Sequence, residues 1–188
     1  FDKLHIAAGG GPIKPPVPGI DRPGVFFMNT MDDARKAKGW LSHTQKAVVI
    51  GGGLTGPKTA EALAYLGKDV TVVEMANRVL AINLDETASE LVRGSLIEHG
   101  VEVLTGVQAT GIEGSEDSND VSSVILNTGE HIQCETVFVA IGVRPRLEIV
   151  KDSSIAVNRG ILVDRYMKTN IDGVYAAGDI AEAYDPIT

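Results

Sequence analysis

Cysteine is nearly absent. Cys134 stands alone among 188 residues, which excludes an internal disulfide and any all-cysteine metal site. So little thiol fits a reducing compartment, and a cytoplasmic setting is the expectation. Positive charge is also short: 17 Lys and Arg against 25 Asp and Glu leave a net charge of -8. Nucleic-acid binding calls for a basic surface, so no nucleic-acid partner is expected. No apolar run approaches the roughly 18 residues of a membrane span, so no membrane association is expected. No signal-peptide pattern opens the chain. His5, His43, His99 and His131 are scattered without metal-ligand spacing, and no metal site is expected. Repeats and low-complexity tracts are missing too.

What remains is an ordinary globular composition, 44% hydrophobic and 22% charged. The length suits one medium domain, or one domain with pieces of another. The chain opens on "FDKLHIAAGG", already inside what reads as a strand, and stops at "AEAYDPIT" with no closing turn. That is the pattern of a piece of a longer protein. Residues 9–24 are Gly and Pro punctuation, unsuited to helix or central strand. "VFFMN" then reads as a short strand. Thr30 with Asp33 forms a capping-box pattern that opens a helix running to about Leu41. "KAVVI" reads as a buried strand, 54–66 as a helix stopped at Gly67, and "DVTVVE" as the next strand. Apolar spacing at Leu84, Ala88, Leu91, Val92 and Leu96 predicts a helix whose apolar side is core, closed by Gly100. "VEVLTG", "VQATGIEG" and "VSSVIL" read as strands, the last two flanking the solvated loop "SEDSND". "NTGE" is a turn before the strand "TVFVAIG"; "GILVD" and "GVYAAGD" complete the pass. This order predicts an α/β fold: a Rossmann-like parallel sheet with an antiparallel β insertion, in three layers.

The stretch "VVIGGGLTGPKTAEAL" (48–63) carries the chemistry. Gly51, Gly53 and Gly56 give G-x-G-x-x-G, with Leu54 and Thr55 between the last two. In a chain with 21 glycines the triplet alone means little. Here a hydrophobic strand precedes it, a helix follows, and an acid ends the next strand, which is the context of a dinucleotide fingerprint. Gly51 would allow the tight turn, Gly53 the approach of a diphosphate, and Gly56 close helix packing. The free N–H groups at the helix start would face the diphosphate. Pro57 fits the first helical turn, where its missing N–H leaves no bond unmade. Ala60, Leu63 and Ala64 would pack the helix. Glu74 ends the second strand, where it can accept from a ribose diol, and so selects NAD(H). A 2′-phosphate about 4 Å from this carboxylate would cost about 4 kcal/mol per charge pair at an effective dielectric near 20. A third of that is about tenfold in affinity. Arg78 lies close enough in sequence to soften the repulsion.

Three further stretches carry a family resemblance. "FDKLHIAAGGGPIKPPVPG" resembles the segment closing the first FAD lobe of two-dinucleotide flavoproteins. "VFVAIGVRPR" (137–146) resembles the segment that leaves their NAD domain. "TNIDGVYAAGDIAEA" (169–183) resembles their second FAD motif. With the fingerprint they run in family order over nearly the whole chain, which is similar to the pyridine nucleotide-disulfide oxidoreductase family, in its NADH oxidase, coenzyme A-disulfide reductase and rubredoxin or nitrite reductase group. The resemblance implies an FAD-domain end over 1–30, an NAD(H)-binding domain over 31–146 and the start of a second FAD segment over 147–188. It implies NADH passing hydride to FAD and on to a disulfide, oxygen or an electron-carrier protein, in a homodimeric intact protein. Ile141 and Gly142 match the segment near the nicotinamide. Asp179 matches the aspartate that bonds FAD, with Gly178 permitting close approach.

Two departures stand out. Ala7-Ala8-Gly9 replaces the usual Ala-Thr-Gly and loses a hydroxyl. Lys58 stands where the family usually has a Glu directed toward nicotinamide and flavin. Two readings of Lys58 stay open: an altered charge that tunes the cofactor, or a solvated helix residue. The first favours an alternative function, a NADH-responsive binding or scaffold module with little turnover. A stand-alone short-chain dehydrogenase is disfavoured, since neither Tyr65 nor Tyr166 has a Lys four residues on. No catalytic side chain is expected in this segment. Cys134, in "HIQCETVFV", reads as a small buried thiol, and His99 beside Gly100 as a helix C-terminal charge.

Overall fold

The computed structural model describes residues 2–115 and 117–183. Glu116 of the polar loop and the chain end at 184–188 lie outside the described residues. Two compact units are present: residues 14–142 form one, and residues up to Ile13 with those from Val143 onward form the other.

In chain order the elements are β1 (Leu4–Ile6), β2 (Gly10–Pro12), β3 (Val25–Phe27), α1 (Met31–Trp40), β4 (Lys46–Ile50) and α2 (Thr55–Tyr65). Next come β5 (Asp69–Glu74), α3 (Glu86–Glu98), β6 (Val101–Thr105), β7 (Ala109–Gly114), β8 (Val121–Leu126) and β9 (His131–Gln133). The last strands are β10 (Thr136–Val139), β11 (Val143–Pro145), β12 (Ile161–Val163), β13 (Val174–Ala176) and β14 (Ala181–Ala183).

The larger unit is built on a parallel sheet in the order β3-β10-β4-β5-β6. Its inner strands β4 and β10 are buried on both faces, which is why "KAVVI" and "TVFV" read as near-continuous apolar runs rather than alternating ones. Successive side chains still go to opposite faces. Val49, Val72 and Phe138 pack with Ala37 of α1, Ala60 and Leu63 of α2, and Leu96 of α3. Val48, Ile50, Val73, Val137 and Val139 pack with Ile112, Val121, Val124 and Leu126. Those partners belong to the antiparallel sheet β7-β8-β9. The expected three layers are therefore helices, parallel sheet and antiparallel sheet.

The capping box that opens α1 is complete. Thr30 Oγ1 accepts from Asp33 N at 3.2 Å, and Asp33 accepts from Thr30 N at 2.8 Å. Two expectations need correction. The chain makes the additional strand β9 straight after the "NTGE" turn, bonding to β8 through Ser123–Gln133 to Ile125–His131. Three residues ending at Gln133 are too short for a periodic signal. The apolar side of 84–99 is not all core: Leu91 is 74% exposed, while Ser89 and Leu96 are buried. The helix buries the stripe through 89, 92 and 96, and Leu91 lies about 200° around the axis from Ser89.

The smaller unit pairs β1 with β13 in parallel, β2 with β11 antiparallel and β12 with β14 in parallel. Ile6, Val150, Ile161, Ala176 and Ile180 form its core. Among the described residues no helix is long and apolar enough to cross a membrane.

Cys134 is buried in the core beneath the antiparallel sheet. Burial first, and the Glu135 carboxylate second, push its thiol up to about 12. A thiolate is the reactive form, so this group is inert in the fold. In native protein at neutral pH, an aromatic disulfide reagent is expected to titrate no thiol within minutes, and one equivalent after denaturation. Rapid labelling of native protein would contradict this burial.

Candidate functional site

The C-terminal ends of the parallel strands define the site. From β4, the chain crosses through α2 to β5 on one side, while β10 lies on the other. This is a topological switch point, where open α/β sheets hold ligands. The glycine turn leaves β4 at that point.

Backbone packing there is too tight for side chains. Gly51 N donates to Val73 O at 2.8 Å, and Ala140 N donates to Ile50 O at 2.8 Å. Gly51 has φ of 111°, and a Cβ on it would lie 2.5 Å from Ala140 O and 3.2 Å from Ile141 Cγ2. A Cβ on Gly56 would lie 1.8 Å from Gly51 O, so α2 starts in direct contact with the turn. Gly53 differs: a Cβ there would meet nothing within 4 Å. Two glycines of the fingerprint thus serve packing, and the third faces open space where a ligand could approach.

The helix start is open as well. Leu54 is the N-cap residue, with helical φ and ψ and no side-chain capping bond. Leu54 and Thr55 are exposed, whereas Gly56 and Pro57 are buried. The helix therefore presents uncapped backbone dipoles at the turn, the arrangement that attracts anionic oxygens. Lys58 is directed elsewhere: its Nζ lies 2.9 Å from Glu61 Oε2, and its side chain is 80% exposed.

Glu74 ends β5, paired in register with Thr105 of β6. Its half-buried carboxylate reaches the turn, where Oε2 accepts from Gly52 N and Oε1 accepts from Ala76 N at 2.6 Å. Leu80 N donates to Gly52 O at 2.8 Å, tying the loop after β5 to the same glycine. Arg78 does not pair with Glu74. Its Nη2 donates to Ala81 O at 3.2 Å, and its Nε is buried without a partner. Gly52 and Ala76 are the site residues that motif reasoning passes over. Gly52 fills a variable place of the fingerprint, and its being glycine was the available signal.

Ile141 and Gly142 follow β10 within the larger unit, and Ile141 stands against Gly51. Gly178 and Asp179 belong to the smaller unit. There β1 and β13 run parallel, and Ala177 N donates to Ile6 O at 3.1 Å. Gly178 has φ of 75° and open space at its Cβ position, and Asp179 is exposed. Among the described residues no cluster of three or more His, Cys, Asp or Glu could hold a metal ion.

Comparison with known proteins agrees with this fold. The chain is 34% identical over 186 residues to the rubredoxin-NAD(+) reductase of Ectopseudomonas oleovorans, covering 99% of this chain and 48% of that protein. Its fold is similar to that of a ferredoxin reductase from Rhodopseudomonas palustris, with TM-score 0.93 and 29% identity over 97% of this chain and 45% of that one. It is also similar to the water-forming NADH oxidase of Lactobacillus brevis bound to NADH, with TM-score 0.87 and 27% identity over 96% of this chain and 40% of that one. The chain spans less than half the length of the curated relatives it matches. The sequence pattern described as pyridine nucleotide-disulphide oxidoreductase matches residues 1–188, and the chain belongs to that family.

Proposed function

We propose that this chain contains the NADH-binding domain of an FAD-dependent oxidoreductase, carried by the compact unit of residues 14–142 rather than by 31–146, because β3 joins its sheet, and flanked by FAD-domain segments up to Ile13 and from Val143. The observation that carries the reading is the glycine turn at the end of β4, open at Gly53 and at the helix start, with the Glu74 carboxylate fixed beside it. An NADH diphosphate suits the open turn and helix start, and its adenosine ribose suits Glu74. Ile141 and Gly142 then lie toward the nicotinamide end. Glu74 rejects a 2′-phosphate, and Arg78 does not counter it, because its guanidinium bonds Ala81 and Asn77 instead.

The residues of the smaller unit fit half of an FAD cradle. Two parallel strands end side by side, and Gly178 leaves the backbone open next to exposed Asp179. FAD, when bound, supplies the hydride acceptor. The chain's own part is to bind NADH and orient it. The acceptor beyond the flavin is a disulfide, oxygen or an electron-carrier protein, in a homodimeric and cytoplasmic intact protein. The scaffold alternative drew on Lys58. Its pairing with Glu61 on the exposed side of α2 supports a surface role and leaves the redox reading in front.

Anaerobic mixing of the intact flavoprotein with NADH is expected to bleach the visible flavin absorbance at a rate that supports turnover. A slow change to a stable long-wavelength band, without turnover, would favour the scaffold. The 188-residue chain alone is expected to purify without flavin; tightly bound FAD would contradict the half-cradle assignment. Glu74→Arg is expected to shift preference toward NADPH by at least about tenfold, since it replaces repulsion with attraction. An unchanged preference in equilibrium titrations would remove Glu74 from the site.

A further inference from the structure

Gly52 stands at the second, variable place of the fingerprint, yet it is the residue through which the turn grips Glu74. Its N–H donates to Glu74 Oε2, and its C=O accepts from Leu80 N. A Cβ on Gly52 would lie 3.0 Å from Glu74 Cβ, Cγ and Oε2, closer than ordinary van der Waals contact. The other carboxylate oxygen is held by Ala76 N. Both oxygens are therefore fixed by backbone donors, in charge-assisted hydrogen bonds. A carboxylate has about four acceptor sites, so each oxygen keeps capacity for a ribose hydroxyl.

We infer that Gly52 is a specificity-determining residue for the dinucleotide: it seats the Glu74 carboxylate so that the charge accepts a ribose diol and cannot retreat from a 2′-phosphate. This rests on the NADH reading above. Charge rejection weakens with distance and with intervening water. A freely rotating carboxylate would move away from a phosphate, and solvent would screen the pair. One held at both oxygens keeps its position. The demand on Gly52 is for space and a free N–H, not for unusual backbone angles, because its φ lies outside the left-handed range. An alanine there adds a methyl group against Glu74 without backbone strain.

The test is a calorimetric titration of wild type and Gly52→Ala with NAD+ and NADP+, neither of which can reduce a flavin. Gly52→Ala is expected to bind NAD+ about tenfold more weakly, the effect of disturbing one charged hydrogen bond. NADP+ affinity is expected to stay level or rise, so the preference ratio falls. An unchanged ratio in folded Gly52→Ala overturns the inference. Wild type that binds neither nucleotide overturns the NADH reading instead, and this inference with it. Amide NMR supplies a second readout that needs no Gly52 variant. The Gly52 amide proton resonance is expected to move upfield in Glu74→Gln, which removes the charge from its acceptor. A Gly52 amide unmoved by Glu74→Gln would overturn the seating of Glu74.

Discussion

Close backbone contact at the end of β4 is the constraint on which the rest of the site depends. Gly51 bonds to β5 through Val73, lies against Ala140 just beyond β10, and carries Gly56 at the head of α2 on its carbonyl. Three strands and a helix meet where only glycine backbone fits. A side chain at Gly51 would meet the Ala140 carbonyl, and one at Gly56 would drive α2 from the turn. This packing fixes the open, uncapped helix start over the sheet end. It also brings Gly52 within bonding reach of Glu74. The geometry of the turn here follows from strand packing.

Electrostatics then act on a rigid frame. Glu74 is held by Gly52 and Ala76, while the two nearby cations that sequence alone left open have other partners. Arg78 bonds within its own loop, and Lys58 pairs with Glu61 one helical turn away. An exposed lysine–glutamate pair of this kind contributes little to stability. It does account for the lysine without a role at the cofactor. The acid is left without a neutralising partner among these cations, and in the proposed function that unpaired charge is what disfavours a dinucleotide with the extra phosphate.

The sheet and helices were legible because their patterns are strong. "KAVVI" and "DVTVVE" are apolar runs bounded by turns, and Thr30 with Asp33 announces α1. The fingerprint was legible through its context of strand, helix and terminal acid. What escaped was short or three-dimensional. β2, β9, β11 and β14 have three residues each, too few for a period to show. Leu91 fits an apolar spacing, yet the helix face turned to the sheet runs through Ser89 and Leu96 and leaves Leu91 exposed. Gly52 stands at a place the fingerprint does not specify, and its importance lies in a contact 22 residues away. The direction of Arg78 depended on a loop conformation that no local signal encodes.

The central claim is that the turn and Glu74 together form a NADH site. Calorimetric titration of the folded chain with NADH, and separately with NADPH, tests it most directly. The account predicts saturable NADH binding, with NADPH weaker by about tenfold or more. Binding of neither, or equal binding of both, would contradict it.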